Sequence, residues 1–364
     1  MVIGGTGNFG ARIVRSLRSD SDIELIVAGR RISPLPDFAG IRQEALDIES
    51  PELGERLEAL APQLVIHCVG PFQGQSYRVA VASLAAGAHY IDLADGRQFV
   101  ANFSTALQDR ALAARRAAIS GASTLPALSS AVVQDLLAGL DVLDSIEVGI
   151  APGHRAPRGA ATLAGVFSYL GRPYASWHNG RWKRTWGWMD LRSIQLDVGK
   201  RLAASCNVPD LELFPSYFRG VRSVSFHAAL EFTSQQLVLW SLAALRRFGM
   251  PLPLATWAAG LDRWATLYDA RAGDKGGMWV RVVGQGGDGR RVQRTWHLTA
   301  PVLHGPEIPS IPAVLLARRF ARGPRPLPGA RACVGILSLR DFMPEFQRWG
   351  ITTRSEEAPV CPVV

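Results

Sequence analysis

Gly4-Gly5-Thr6-Gly7-Asn8-Phe9-Gly10 follows the short apolar run Val2-Ile3 and opens a stretch in which Ile13, Val14 and Leu17 recur at helical spacing. The pattern G-x-G-x-x-G at Gly5, Gly7 and Gly10 thus lies between a strand and a helix, the context in which such a loop cradles a pyrophosphate. Glycine at the first positions allows a tight turn and close backbone approach. Gly10 lets the helix pack on the strand while its first amides face the anion. Gly4, Gly5, Thr6, Gly7, Asn8, Phe9 and Gly10 are therefore the first candidate cofactor-binding residues.

Outward from this loop, short apolar runs alternate with helical stretches as far as about Ala118, the rhythm of βαβ units and a parallel sheet. Strands are expected at Val2–Ile3, Glu24–Ala28, Arg42–Ala45, Leu64–Val69, Tyr90–Leu93 and Ala117–Ser120. Crossover helices are expected at Asn8–Leu17, Glu52–Leu60, Ser76–Ala86 and Gln98–Arg116. Near Leu140 the rhythm changes. Ser145–Ile150 and Val224–Glu231 read as longer strands, and Ala160–Leu170 and Ser234–Phe248 as helices. Met278–Val283 and Val292–Thr299 form a hairpin around Gly286-Gly287-Asp288-Gly289. The fold class is α/β, with an N-terminal Rossmann doubly wound parallel sheet over 1–140 and a second, α+β substrate or oligomerisation domain over 141–304. Further helices are expected at Ala313–Phe320 and Asp341–Trp349, and 355–364 reads as a mobile tail.

The second strand ends Val27-Ala28-Gly29-Arg30-Arg31, where an NAD site commonly offers a carboxylate to the adenosine ribose. Arg30 instead brings a planar guanidinium able to pair with a 2′-phosphate, so NADP(H) is the expected cofactor. Arg31 adds a second contact, stacks on adenine or stays in solvent. Asp47, after the third strand, either meets the adenine edge or starts the next helix ahead of Ser50-Pro51.

The net charge of +9 comes mainly from Arg spread along the chain, with Lys only at Lys183, Lys200 and Lys275. No basic arm or stripe points to nucleic acid. Cys68, Cys206, Cys333 and Cys361 lie far apart without a zinc-ligand spacing, so no metal is expected and reduced thiols in the cytoplasm fit best. No apolar run is long enough to span a bilayer. Met1-Val2-Ile3 is short for a central strand, and an upstream start is the corresponding expectation.

Four segments in order, Gly4–Gly10, Val69-Gly70-Pro71-Phe72-Gln73-Gly74, Tyr90-Ile91-Asp92-Leu93-Ala94-Asp95-Gly96 and Gly121-Ala122-Ser123-Thr124-Leu125-Pro126, resemble the saccharopine dehydrogenase-like family, in particular its bacterial NADP-binding oxidoreductase members. The resemblance spans roughly the first 135 residues and returns faintly at His304-Gly305-Pro306-Glu307-Ile308-Pro309. It implies a Rossmann domain, a mixed second domain, C-terminal helices of 305–350 packing back on the first, and an active cleft between the two. It does not imply saccharopine as the substrate.

The residues themselves leave alternatives. Gly70, Pro71 and Phe72 follow the fourth strand at its carboxyl end and either contact the nicotinamide ribose or form a turn with Phe72 in the core. Asp92 is the candidate catalytic residue, orienting an amine or moving a proton. Asp95 is a candidate for the substrate or a helix cap. Ser123 and Pro126, ahead of Ser129 and Ser130, stand where amides meet a substrate carboxylate or where a helix is capped. His154, Arg155 and Arg158, with Trp177, Trp182, Trp186 and Trp188, read as loop and core before they read as a pocket. The expected activity is NADP(H)-dependent hydride transfer at a carbonyl or imine carbon of a small, amino-acid-like molecule. The alternatives are reduction of a more apolar carbonyl or enoyl substrate, and a non-catalytic NADP-binding protein. The expected partner is a small-molecule substrate, with no nucleic acid, no membrane span, and a homodimer as the candidate assembly.

Overall fold

The computed structural model describes residues 1–32, 38–157, 160–273, 275–324 and 326–360, with some side chains of the helices at 160–169 and 254–266 left out. Two compact units result. The first comprises Met1–Leu128 and Glu307–Leu337, the second Ser129–Pro306 and the chain from Ser338 onward.

In chain order the first unit opens with β1 (Val2–Ile3), α1 (Asn8–Leu17), β2 (Ile26–Gly29), β3 (Arg42–Ala45), α2 (Leu53–Leu60) and β4 (Leu64–His67). It continues with α3 (Arg78–Ala85), β5 (His89–Asp92), α4 (Arg97–Ala113) and β6 (Ala117–Ser120). The second unit supplies α5 (Ser129–Leu136), β7 (Leu140–Ala151), α6 (Ala160–Tyr169), β8 (Pro173–His178), β9 (Arg181–Trp186), β10 (Arg192–Leu196) and β11 (Gly199–Ser205). There follow α7 (Asp210–Tyr217), β12 (Ser223–Ala229), α8 (Thr233–Arg247), α9 (Leu254–Thr266), β13 (Gly276–Gly286) and β14 (Arg291–Ala300). The chain then returns to the first unit for α10 (Ile311–Arg322) and β15 (Gly329–Ala332). It ends in the second with α11 (Leu339–Arg348) and β16 (Thr352–Pro359).

The first sheet runs β15-β6-β5-β4-β1-β2-β3, parallel throughout. Its order reverses between β1 and β4, the switch point at which open α/β sheets bind ligands. Both faces are covered, which explains why β4 and β6 read as unbroken apolar runs. On α1 the periodic residues Ile13, Val14 and Leu17 are buried against that sheet, each contributing about 1.5–3 kcal/mol. The expected Val2–Ile3, Arg42–Ala45, Ala117–Ser120 and Asn8–Leu17 are observed to the residue, and the other elements of this half shift by up to three positions.

The second sheet runs β10-β11-β12-β7-β13-β14-β16 and is mostly antiparallel, with β12 and β7 parallel; β8 and β9 form a separate hairpin. Gly286–Gly289 sits at the β13–β14 turn, with the Gly286 amide donating to the Arg290 carbonyl at 3.2 Å, as expected of a hairpin. Alternation is clean here: Ile146 and Val148 of β7 and Val280 and Val282 of β13 are buried, while Glu147 and Arg281 between them are less so.

Three expectations are corrected. The first unit ends at Leu128 and not 140, because α5 packs on β13 and β14. Only 307–337 returns to it, since α11 packs on α5 in the second unit. The segment 355–359 is no free tail: it belongs to β16, paired along β14. Its charges gave it the look of a tail. Arg354 meets Asp197, Glu356 meets His297 and Glu357 meets Arg294.

Candidate dinucleotide site

The glycine loop is built by backbone contacts that a side chain would break. The Gly4 amide donates to the Ala28 carbonyl of β2 at 2.7 Å, and the Gly7 amide to the Gly4 carbonyl at 2.9 Å. Gly4 has φ +77°, the left-handed region that disfavours other residues, and a Cβ there would lie 2.8 Å from the Val69 side chain. At Gly10 a Cβ would lie 2.1 Å from the Gly4 carbonyl oxygen, so only glycine lets α1 rest on the loop. Gly7 caps α1 in extended conformation with no side-chain acceptor, and the first turn carries no acidic residue. The first-turn amides of Phe9 and Gly10 lack intrahelical acceptors, and the helix dipole adds positive potential. Thr6 and Gly7 are exposed beside them. An uncapped helix start behind an exposed glycine turn fits the pyrophosphate of a dinucleotide.

At the end of β2, Arg30 and Arg31 are both exposed. Beyond β3, Asp47 accepts the Glu49 amide on Oδ1 at 3.0 Å, and its carbonyl accepts the Ser50 amide at 3.2 Å. That is the local turn that starts a helix, which explains Asp47 without an adenine.

After β4, Gly70 is half-buried and Pro71 exposed, but Phe72 is buried. Its ring stands 5.2 Å from that of His67 and 5.3 Å from that of Phe99, within an aromatic cluster that reaches Tyr77, Tyr90 and Phe103. The expectation that Phe72 lines the cofactor is therefore corrected: the ring packs inward because that cluster gives it more apolar surface than the rim does. Gly96 touches the same loop, for a Cβ on it would lie 3.2 Å from the Phe72 carbonyl carbon. Gln73 Nε2 donates to Asp95 Oδ1 at 3.3 Å, so the loops after β4 and β5 are joined. Asp95 is the exposed carboxylate of this rim.

Asp92 is fully buried. Its Oδ1 accepts the Ala94 amide at 3.0 Å, the Ser120 hydroxyl at 2.9 Å and the Gly121 amide at 2.8 Å. Burial pushes its carboxyl up to about 6, against the pull of those donors. Nearby, His67 Nδ1 and the Tyr90 hydroxyl lie 2.9 Å apart, both buried; burial holds the imidazole down at about 3, so it is neutral. A carboxyl with no exposed surface does not meet a substrate in this conformation, which corrects the expectation that Asp92 does so. It ties the end of β5 to β6. Sequence reasoning missed the partners Tyr90, Ser120 and His67, although the two-residue repeat of a strand already placed Tyr90 on the face of Asp92.

Ser123 is half-buried and its amide donates to the Gly121 carbonyl at 2.8 Å. Pro126 is buried, 2.6 Å from where a Cβ on Gly121 would stand, so its candidate substrate role is corrected to packing. In the second unit, His154 is buried with Nε2 3.0 Å from the Ala265 carbonyl, and Arg155 Nε donates to the Asp269 carbonyl at 2.9 Å. Arg158 lies outside the described residues. Trp177 and Trp182 pair edge to face on the β8–β9 hairpin, with Trp182 partly in solvent, while Trp188 is buried. Cys68, Cys206 and Cys333 are free thiols, and Cys361 lies outside the described residues.

Among the described residues no helix is long and apolar enough to cross a membrane. Residues 1–125 match the family model described as the saccharopine dehydrogenase NADP binding domain. No curated protein sequence matches the chain. Among solved structures, the apo saccharopine dehydrogenase (L-Glu forming) from Saccharomyces cerevisiae is similar, with a TM-score of 0.67 at 12% identity over 98% of this chain and 99% of that one. The homospermidine synthase of Legionella pneumophila, solved with NAD, has a TM-score of 0.63 at 10% identity, covering 100% of this chain and 92% of that one. At these identities the two structures speak for the shared two-sheet fold. The switch-point geometry, the glycine loop and the 125 matched residues agree: residues 1–125 match the NADP binding domain of saccharopine dehydrogenases, and the whole chain shares the fold of the two similar structures.

Proposed function

We propose that the protein is an NADP(H)-dependent oxidoreductase acting on a carbonyl or imine carbon of a small, amino-acid-like molecule. The observation that carries the cofactor preference is the exposed Arg30 at the end of β2, where a carboxylate would favour NAD(H). A guanidinium there pairs with a 2′-phosphate through charge-assisted hydrogen bonds, and Arg31 reinforces the local positive potential.

When bound, the nicotinamide supplies the hydride chemistry. The chain's own residues bind and orient. The first-turn amides of α1 hold the pyrophosphate, and Gly70 and Pro71 shape the wall beside the nicotinamide ribose. Asp95, exposed at the rim of β5 and joined to Gln73, is the carboxylate that orients an amine-bearing substrate. Asp92 holds the two adjoining strand ends in place. The free thiols support a reducing compartment such as the cytoplasm.

Fluorescence titration of NADPH and NADH against the parent and Arg30→Asp tests the reading. The parent should bind NADPH at least tenfold more tightly, and the variant should lose that preference through repulsion of the 2′-phosphate. Equal affinity of the parent for both cofactors overturns it. Hydride exchange from NADPH onto trial 2-oxo acids, with and without amines, then tests the substrate class.

A further inference from the structure

The segment that returns to the first unit grips α1 at both ends. At the far end, Arg318 donates from Nε to Asp20 Oδ2 at 2.9 Å and from Nη2 to the Ser16 carbonyl at 3.2 Å, and Arg322 Nε donates to Asp22 Oδ2 at 2.7 Å. Cations at a helix C-terminus are ordinary stabilising contacts. The near end is less ordinary. Glu307, 4% exposed, sets Oε1 3.5 Å from Arg12 Nε and 4.0 Å from Arg15 Nη1, and the Ser310 hydroxyl donates to the Phe9 carbonyl at 3.3 Å.

A carboxylate buried against the middle and last turns of α1 would oppose an anion held at that helix's start unless it were neutralised. Arg12 and Arg15 neutralise it, and both project from α1 itself. The contact therefore fixes the helix in rotation and translation against a segment nearly 300 residues away in the chain, while Ser310 fixes the first turn through the Phe9 carbonyl. Small displacements of binding groups cost affinity steeply. Resting on the dinucleotide reading above, we propose that Glu307 and Ser310 are positioning residues for the pyrophosphate: they hold α1 so that its first-turn amides keep their aim.

The full-length chain carrying Glu307→Gln, Glu307→Asp or Ser310→Ala is titrated with NADPH and with 2′-AMP, which carries the phosphorylated adenosine end but no pyrophosphate. Glu307→Gln should weaken NADPH about tenfold and Ser310→Ala about threefold, both leaving 2′-AMP within about twofold of the parent; Glu307→Asp should recover part of the loss. Circular dichroism checks folding, and if Glu307→Gln does not fold, Ser310→Ala decides alone. NADPH affinity like the parent's in the folded variants, or an equal loss for 2′-AMP, overturns the proposal. A parent that binds neither NADPH nor NADH instead overturns the dinucleotide reading itself.

Discussion

Asp92, at the end of β5, and Asp190, just before β10, meet their surroundings in opposite ways. Asp92 is wholly buried, accepts two backbone amides and a hydroxyl, and has its carboxyl pushed up by desolvation to about 6. Asp190 is half exposed on a left-handed backbone (φ 55°), within 3.0 Å of Arg192 Nη2 and 3.7 Å of His227 Nε2. His227 and Arg192 hold its carboxyl down at about 2. One carboxyl ties strand ends together from inside, and the other joins a network of charges that solvent still screens. Dipoles thus hold the carboxyl at the end of β5, whereas ion pairs hold the one before β10.

The largest effect that tests this contrast comes from the backbone. Gly10→Ala, with its Cβ driven against the Gly4 carbonyl, should cut NADPH affinity more than about a hundredfold in a titration, because loop and helix cannot both keep their places. Affinity near that of the parent would mean the rim tolerates displacement, and the contrast would fail.

Next, Asp92→Ala should cost about 2–4 kcal/mol in urea unfolding, since it leaves the Ala94 and Gly121 amides without an acceptor. Asp92→Asn separates charge from geometry. A carboxyl raised to about 6 stabilises the fold fully below its ordinary value, and that contribution is lost as pH rises through 6. Relative to the parent, Asp92→Asn should therefore gain about 2–3 kcal/mol between pH 4 and pH 7. A difference independent of pH would show the carboxyl to be ionised throughout.

The second unit holds one exception that sharpens the comparison. Asp210, in the first turn of α7, is buried and raised by desolvation to about 7, so its contribution likewise fades as pH rises through 7. Asp210→Asn should match the parent's melting temperature at pH 4 and exceed it at pH 8 by several degrees. The smallest effect is expected at Arg354, which donates to Asp197 and Glu356 at the surface. Arg354→Ala should lose under about 1 kcal/mol, less in high salt. A loss of several kcal/mol would place the ion pairs of the second sheet on a par with the dipoles of the first.

The two regions were also unequally legible. β1, β3, β6 and α1 were readable to the residue, β6 because all four of its residues are buried and α1 because of its regular period, and the glycine spacing disclosed its own turn. The second unit's hairpins β8–β9 and β10–β11 went unread because their exposed edges are polar and rich in Arg, so alternation was masked. Strand β16 was lost in its own charges. At the site, Arg30 and the glycine loop could be read because their chemistry is local. Phe72 and Asp92 could not, since the residues that pack on or bond them, Phe99 from α4 and Ser120 from β6, arrive from other elements. Strand position alone does not say whether a rim residue turns outward.

The pairing of β15 with β6 has a consequence in time. Ala117–Ser120, an almost wholly apolar strand, gains its outer neighbour only when Gly329–Ala332 has been made. At ribosomal rates of about 5–20 residues per second, some 200 residues of intervening chain keep that edge open for about 10–40 s. An open apolar edge is a template for pairing with another chain. The nascent protein therefore passes through a window in which its dinucleotide half is nearly built yet able to aggregate, and slowing translation across the second unit should lower soluble yield more than slowing it across the first.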